Sequence, residues 1–398
     1  MNTLLSRVGR LFNAGQPVAE NVDVLLGQGS ILAVGRSGSL ALAADVEPFD
    51  CQGALLTAGL IDAHTHPLYA HSRLAEIAER AAGVSYAQLA ARGGGINATV
   101  RDTRRAPWDE LELGLRARLQ RWLQAGTTTV EAKTGYWLDR DGELHAVRLL
   151  RELAGDAHLP ELAVTFLGAH ALPEEFRGRP EEFVSEVQSW YPDAKLAGAR
   201  FADVFCDQGA FTVAESRLLL RSAQDAGLGL RLHADELALT GGTQLAVQSG
   251  AISADHLLCI GAAEIAALAA STTVATLCPV TALAMGRTPP ARELVAAGVS
   301  LALGSDHNPG TSGATSMSLI VWLATTELGL SVEQALTAAT LGGARSLALA
   351  DRGLIAPGMA ADLVLWDADH EGGFAWSPEL RPLQVWRAGT ACGGPASD

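Results

Sequence analysis

Residues 60–66 read LIDAHTH, an apolar run rich in β-formers that closes on two histidines one residue apart. Working outward, the same design returns along the chain. TTTVEAK (127–133), LAVTFLGAH (162–170), FADVFCD (201–207) and LGLRLHADE (228–236) follow, then ISADHLL (252–258), TVATLCP (273–279) and SLALGSDHN (300–308). Each is a near-continuous apolar strand with a polar tip. Helix-like segments such as WDELELGLRARLQRWLQAG (108–126) and ARELVAAG (291–298) lie between them. Apolar strands alternating with amphipathic helices predict a parallel sheet covered by helices. Eight such units predict an α/β fold, a (β/α)8 TIM-like barrel. An open doubly wound sheet would carry a glycine-rich dinucleotide turn after its first strand, and the sequence has none there.

The two ends of the chain read differently. VDVLLG (22–27), ILAVG (31–35) and VEPFDCQGALL (46–56) are short strands with turns, as are GLIAPGMAADLVLWDAD (353–369) and LQVWRAG (383–389). Residues 1–56 plus 353–398 are therefore expected to form one small composite β-sandwich domain beside a barrel spanning 57–352.

Hydrophobic residues make up 48% of the 398 and charged residues 18%, enough for a large core and too apolar for general disorder. The formal net charge of -15 argues against nucleic acid, whose phosphates need a basic footprint, and against an anionic membrane surface. Lys133 and Lys195 are the only lysines. Cys51, Cys206, Cys259, Cys278 and Cys392 form no CxxC pair and are odd in number, so a reducing, cytoplasmic setting is expected rather than a disulfide framework. The opening MNTLLSRVGRLFNAG lacks the apolar region of a signal peptide. The uncharged run 265–286 is long enough to span a bilayer, but it contains Pro279 and divides into helix end, strand and loop.

The polar tips fall at the C-terminal ends of the strands, where barrel enzymes place their active sites. On a strand, His64 and His66 would face the same side and share one cation. Alone, the pair is a weak signal. His233 in LHADE and Asp306 in GSDHN complete it. Three neutral imidazoles and a carboxylate suit a borderline ion such as zinc, with one position open for water or substrate. Glu236, three residues past His233, is placed to shuttle protons. Lys133 reads as a structural ion pair. The run Gly93-Gly94-Gly95 invites a phosphate-loop reading, but it lacks the required lysine and follows no strand.

This pattern resembles the amidohydrolase superfamily. Members with two metals usually bridge them with a carboxylated lysine from strand four. FADVFCD offers no lysine, so the resemblance implies a single metal and frees His256 to bond the nucleophilic water or the oxyanion. The likeness narrows at HTHPLYAHSR (64–73), SYAQLAARGGGINATVRDTR (85–104), GTTTVEAKTGYWLD (126–139), LGAHALPEEFRGR (167–179), HADE, SADHL and SDHNPGTS (305–312). Together these are similar to the imidazolonepropionase family of histidine degradation. The resemblance implies His64, His66, His233 and Asp306 as ligands of one divalent or trivalent ion, zinc or iron. It implies Glu236, His256 and Asp306 as catalytic groups. It implies Arg73, Tyr86, Tyr136, His170, Glu236, Asn308, Gly310 and Thr311 as substrate contacts. The substrate would be 4-imidazolone-5-propanoate, whose carboxylate a guanidinium grips with two prongs.

The chain departs from the family at Ala58, where proline is usual, at Trp137 in TGYWL, and at His307 between Asp306 and Asn308. The last two are expected to touch the shape of the pocket. A deaminase acting on another heterocycle is the nearest alternative, and a non-catalytic scaffold on the same barrel is a remote one. A homodimer is expected only from the commonness of two-fold assemblies.

Overall fold

The computed structural model describes residues 2–40, 46–84, 88 and 92–392. Five strands come first: β1 Asn2–Phe12, β2 Ala19–Gly27, β3 Ser30–Arg36, β4 Val46–Asp50 and β5 Leu55–Ala58. Eight more follow: β6 Leu60–Asp62, β7 Thr127–Lys133, β8 Glu161–Ala169, β9 Phe201–Cys206, β10 Gly229–Ala234, β11 Ser253–His256, β12 Val274–Leu277 and β13 Leu301–Leu303. The chain returns through β14 Leu363–Trp366, β15 Pro382–Arg387 and β16 Thr390–Ala391.

Strands β6 to β13 pair in sequence order, each parallel to the next. Their apolar residues are buried on both faces, as a helix-covered parallel sheet requires. Past the ends of β6 and β13 the backbones still bond: Ala63 N–H to Leu303 C=O at 3.1 Å, Asp306 N–H to His64 C=O at 3.0 Å, His66 N–H to His307 C=O at 2.8 Å. These bonds close the barrel seam. The helix Trp108–Gln124 shows why the covering layer forms. Leu111, Leu115, Leu119, Trp122 and Leu123 recur every three or four residues and are buried. The helix Val213–Asp225 starts at a capping box, Thr212 with Glu215.

The terminal strands make one hydrogen-bonded sheet in the order β16-β15-β14-β5-β1-β2-β3, with β4 also on β1. Residues 358–361 bond back to 29–31, so the sheet curls over a shared core that includes Leu5, Val24, Leu56, Leu363 and Trp386. The expected sandwich is thus a single curled sheet drawn from both chain ends. β5 passes into β6 through Gly59, so the two sheets meet at one residue. The uncharged run 265–286 divides into helix Ala262–Ala269 and β12, as its sequence indicates, but the expected loop after them holds a short helix, Pro279–Ala284, with Pro279 at its first position. Among the described residues no helix is long and apolar enough to cross a membrane.

Candidate active site and metal centre

His64 and His66 lie just beyond β6 rather than within it. The alternation persists because Thr65 bridges His307 in parallel across the seam. The Thr65 hydroxyl donates to Glu131 C=O at 2.6 Å, and the two flanking imidazoles converge. The Nε2 atoms of His64 and His66 are 3.3 Å apart, as are those of His66 and His233. Asp306 Oδ1 lies 3.6 and 3.5 Å from Nε2 of His64 and His66. These separations let the four side chains share one divalent ion, and imidazole with carboxylate suits such an ion chemically.

Buried carboxylates orient these imidazoles. His64 Nδ1 donates to Asp255 Oδ2 at 2.6 Å, which leaves its Nε2 lone pair for a metal. His233 Nδ1 is 3.0 Å from Asp203 Oδ2. Burial, then Lys133 beside His64 and the crowded imidazoles around His66, lowers both pKa values well below the usual 6.5 and favours the neutral rings. Beneath them lies an ionic network with no exposed side chain. Lys133 Nζ bonds Glu131 at 2.8 Å and Asp203 at 2.7 Å, and Arg231 bonds Asp255 at 3.1 Å. Three carboxylates against two cations favour a positive ion above them. Lys133 is thus in a structural ion pair, as its sequence context indicates. Asp203→Asn, which weakens the hold on His233, is expected to lower metal affinity about 10- to 100-fold. Competition titration against a chromogenic chelator would measure it.

A cleft opens over this cluster. His66, Arg73, Tyr136, His170, His233, Glu236, His256, Asp306, Asn308 and Thr311 all line it. His64 sits behind them, fully buried. Gly310 is not on the wall. Its place beneath Arg73 leaves no room for a Cβ, which would run into the guanidinium. Tyr86 lies outside the described residues. Neither Trp137 nor His307 reaches the cavity, contrary to expectation. Trp137 stacks on Trp108 at 4.5 Å, and His307 bonds the Tyr69 hydroxyl at 2.9 Å.

Electrostatics divide the lining into roles. Burial, then the charges of Asp306 and Asp207, raise the Glu236 pKa well above 4.5, which favours the protonated carboxyl. Burial lowers His170 and His256 to about 3. His170 Nδ1 donates to Gly135 C=O at 2.9 Å. Neither ring nitrogen of His256 has a hydrogen bond, and Glu236 Oε1 is 3.5 Å from its Nδ1. His256 also has a left-handed backbone, φ +75°, a strain of roughly 1–3 kcal/mol that collects at functional sites. Burial raises Asp306 to about 6 against the bond it accepts from Thr281 at 2.5 Å. Arg73 donates to Glu76 at 3.0 Å and Thr99 at 2.5 Å, and its backbone N–H bonds Pro309 C=O at 2.6 Å. Asn308 spends its amide on its own loop, accepting from the N–H groups of Gly310 and Thr311.

Sequence reasoning passed over several of these residues. Asp203 and Asp255 had a signal, an acid inside an otherwise apolar strand, which must find a partner when buried. Ile96, Leu237 and Met285, which line the cavity, had none, since they reach it from loops and a helix end, and Thr99 and Thr281 had none because they act only through Arg73 and Asp306.

Residues 55–392 match the Amidohydrolase family. The chain is 38% identical over 387 residues to an imidazolonepropionase of Bacillus velezensis, covering 93% of this chain and 91% of that protein. It is 42% identical over 342 residues to an imidazolonepropionase of Cereibacter sphaeroides, covering 84% and 86%. The crystal structure of N-isopropylammelide isopropylaminohydrolase from Burkholderia multivorans superposes with a TM-score of 0.75 at 21% identity, over 98% of this chain and 97% of that one, a likeness of fold.

Proposed function

Because the chain belongs to the amidohydrolase family and, within it, to the imidazolonepropionases, we propose that its cavity opens the ring of 4-imidazolone-5-propanoate to give N-formimidoyl-L-glutamate. The protein is a hydrolase of carbon–nitrogen bonds in cyclic amides. The observation that carries the substrate is the pairing of Arg73 with the imidazole cluster on one cavity wall. A guanidinium binds the propionate tail while the ring carbonyl lies over the imidazoles.

His64, His66, His233 and Asp306 would hold one ion, zinc or iron, since both accept imidazole and carboxylate. When bound, the ion supplies Lewis acidity and lowers the pKa of water from 15.7 to about 7. Water adds to the ring carbonyl carbon, and Asp306 takes its proton. His256 turns an N–H toward the carbonyl oxygen as negative charge grows there. Tyr136 and His170 orient the ring. Glu236, protonated at the start, delivers its proton to the ring nitrogen as the carbon–nitrogen bond breaks. Proton transfer from Asp306 back to Glu236 resets the site.

Fresh 4-imidazolone-5-propanoate, given to the metal-loaded protein, should lose its chromophore and yield formimidoylglutamate, with His64→Ala inactive. Metal-loaded protein that leaves this compound intact would sink the substrate assignment. Arg73→Ala is expected to raise KM about 10- to 150-fold with little change in kcat, the loss of one charge-assisted contact made equally in ground and transition states. Steady-state kinetics would check it. An unchanged KM would point to a neutral heterocycle, as a deaminase would use.

A further inference from the structure

Glu236 rides on a turn between β10 and the helix Gly242–Gln248. The second half of that turn ties itself down. The Asp235 carboxyl accepts from the N–H groups of Thr240, Gly241, Gly242 and Thr243 at 2.7–3.2 Å. The first half, residues 236–238, is held instead by two side chains from other barrel loops. On its N–H side, the buried Asp207, just past β9, accepts from Glu236 at 2.6 Å, Leu237 at 2.8 Å and Ala238 at 3.1 Å. On its carbonyl side, Arg287, in the loop beyond β12, donates through Nη1 to Glu236 C=O at 2.9 Å and Leu237 C=O at 2.8 Å. The Cys259 thiol adds a bond to Glu236 C=O at 3.3 Å.

A carboxylate that accepts three consecutive backbone N–H groups, opposed by a guanidinium on two carbonyls, fixes that peptide in rotation as well as position. We propose that Asp207 and Arg287 are positioning residues that clamp the Glu236 turn and set the reach of its carboxyl to the leaving nitrogen. The proposal rests on Glu236 as the proton donor. A misplacement of about 1 Å at such a group costs about 10² in rate. Neither side chain needs to touch substrate to have that effect.

The test uses metal-loaded protein carrying Asp207→Asn or Arg287→Met. The second change lies on the exposed surface and spares the fold if the first does not. Amide hydrogen exchange in the peptide spanning 236–238 should speed up about tenfold in either variant, with exchange elsewhere unchanged. The kcat should fall about 10- to 100-fold while KM and metal content hold. In a Glu236→Gln background, neither change should lower kcat by more than about twofold further. Arg287→Lys should restore part of the loss. Unchanged exchange, or an equal loss of kcat with and without Glu236, would overturn the proposal. Faster exchange with full kcat would overturn it too. A wild-type protein inert toward the imidazolone would remove the function and with it the catalytic role. The exchange data would then still report whether the clamp exists.

Discussion

Glu236→Gln is expected to lower kcat about 10²- to 10⁴-fold, with metal content and KM nearly unchanged. Glutamine keeps the size and the hydrogen-bonding edge of the side chain but has no proton to give. The leaving ring nitrogen would depart as an anion, or wait for water to protonate it. The carboxyl is suited to the task because burial, reinforced by Asp306 and Asp207, raises its pKa well above that of an exposed glutamate. The sign of the pH effect follows. The active form is the acid, so kcat/KM should fall as pH rises through the elevated Glu236 pKa, and glutamine should abolish that limb. Rate against pH, with metal content measured on the same samples, checks both. A glutamine variant with full activity would remove Glu236 from the chemistry.

Lys133→Met is expected to destabilise the fold by about 3–5 kcal/mol, although methionine fits the volume. The loss comes from what stays behind: Glu131 and Asp203, buried without their shared cation. Burial alone lowers the Lys133 pKa, but the charges of Asp203 and Glu131 overcome it and hold the group above 10.5. A folded pKa raised above the unfolded value means the contribution is complete below about 10.4. It fades only as pH climbs through the folded pKa. The deficit should therefore be constant between about pH 6 and 9 in urea unfolding. Exposed ion pairs on this protein, such as Arg140 with Asp193, should contribute little when tested alike.

The barrel was legible because each of its strands is apolar on both faces and stops at a polar tip. LIDAHTH and SLALGSDHN were placed correctly at the two edges of the seam. Their strands proved shorter than the runs, with His64, His66 and Asp306 lying just past the ends of β6 and β13. The cluster of His64, His66, His233 and Asp306 was legible because these residues sit at strand tips. What escaped notice was the supporting layer. Asp203 and Asp255 point from mid-strand toward residues distant in sequence, and no local pattern announces the partner. Trp137 and His307 misled for the converse reason. They neighbour Tyr136 and Asp306 in sequence, yet Trp137 turns outward onto Trp108 and His307 away onto Tyr69. Adjacency along a chain does not fix the direction of a side chain past a strand end.

The seam carries one more consequence. His64 and Asp306 stand on its opposite sides, and the backbones of His64, His66 and Asp306 themselves make bonds that join those sides. The first edge is synthesised long before the last. A growing chain thus holds two half-sites, neither able to grip an ion tightly, until the final strand docks. Completion of the fold and birth of the catalyst are one event, dependent on the longest-range contact in the barrel and so among the slowest to form.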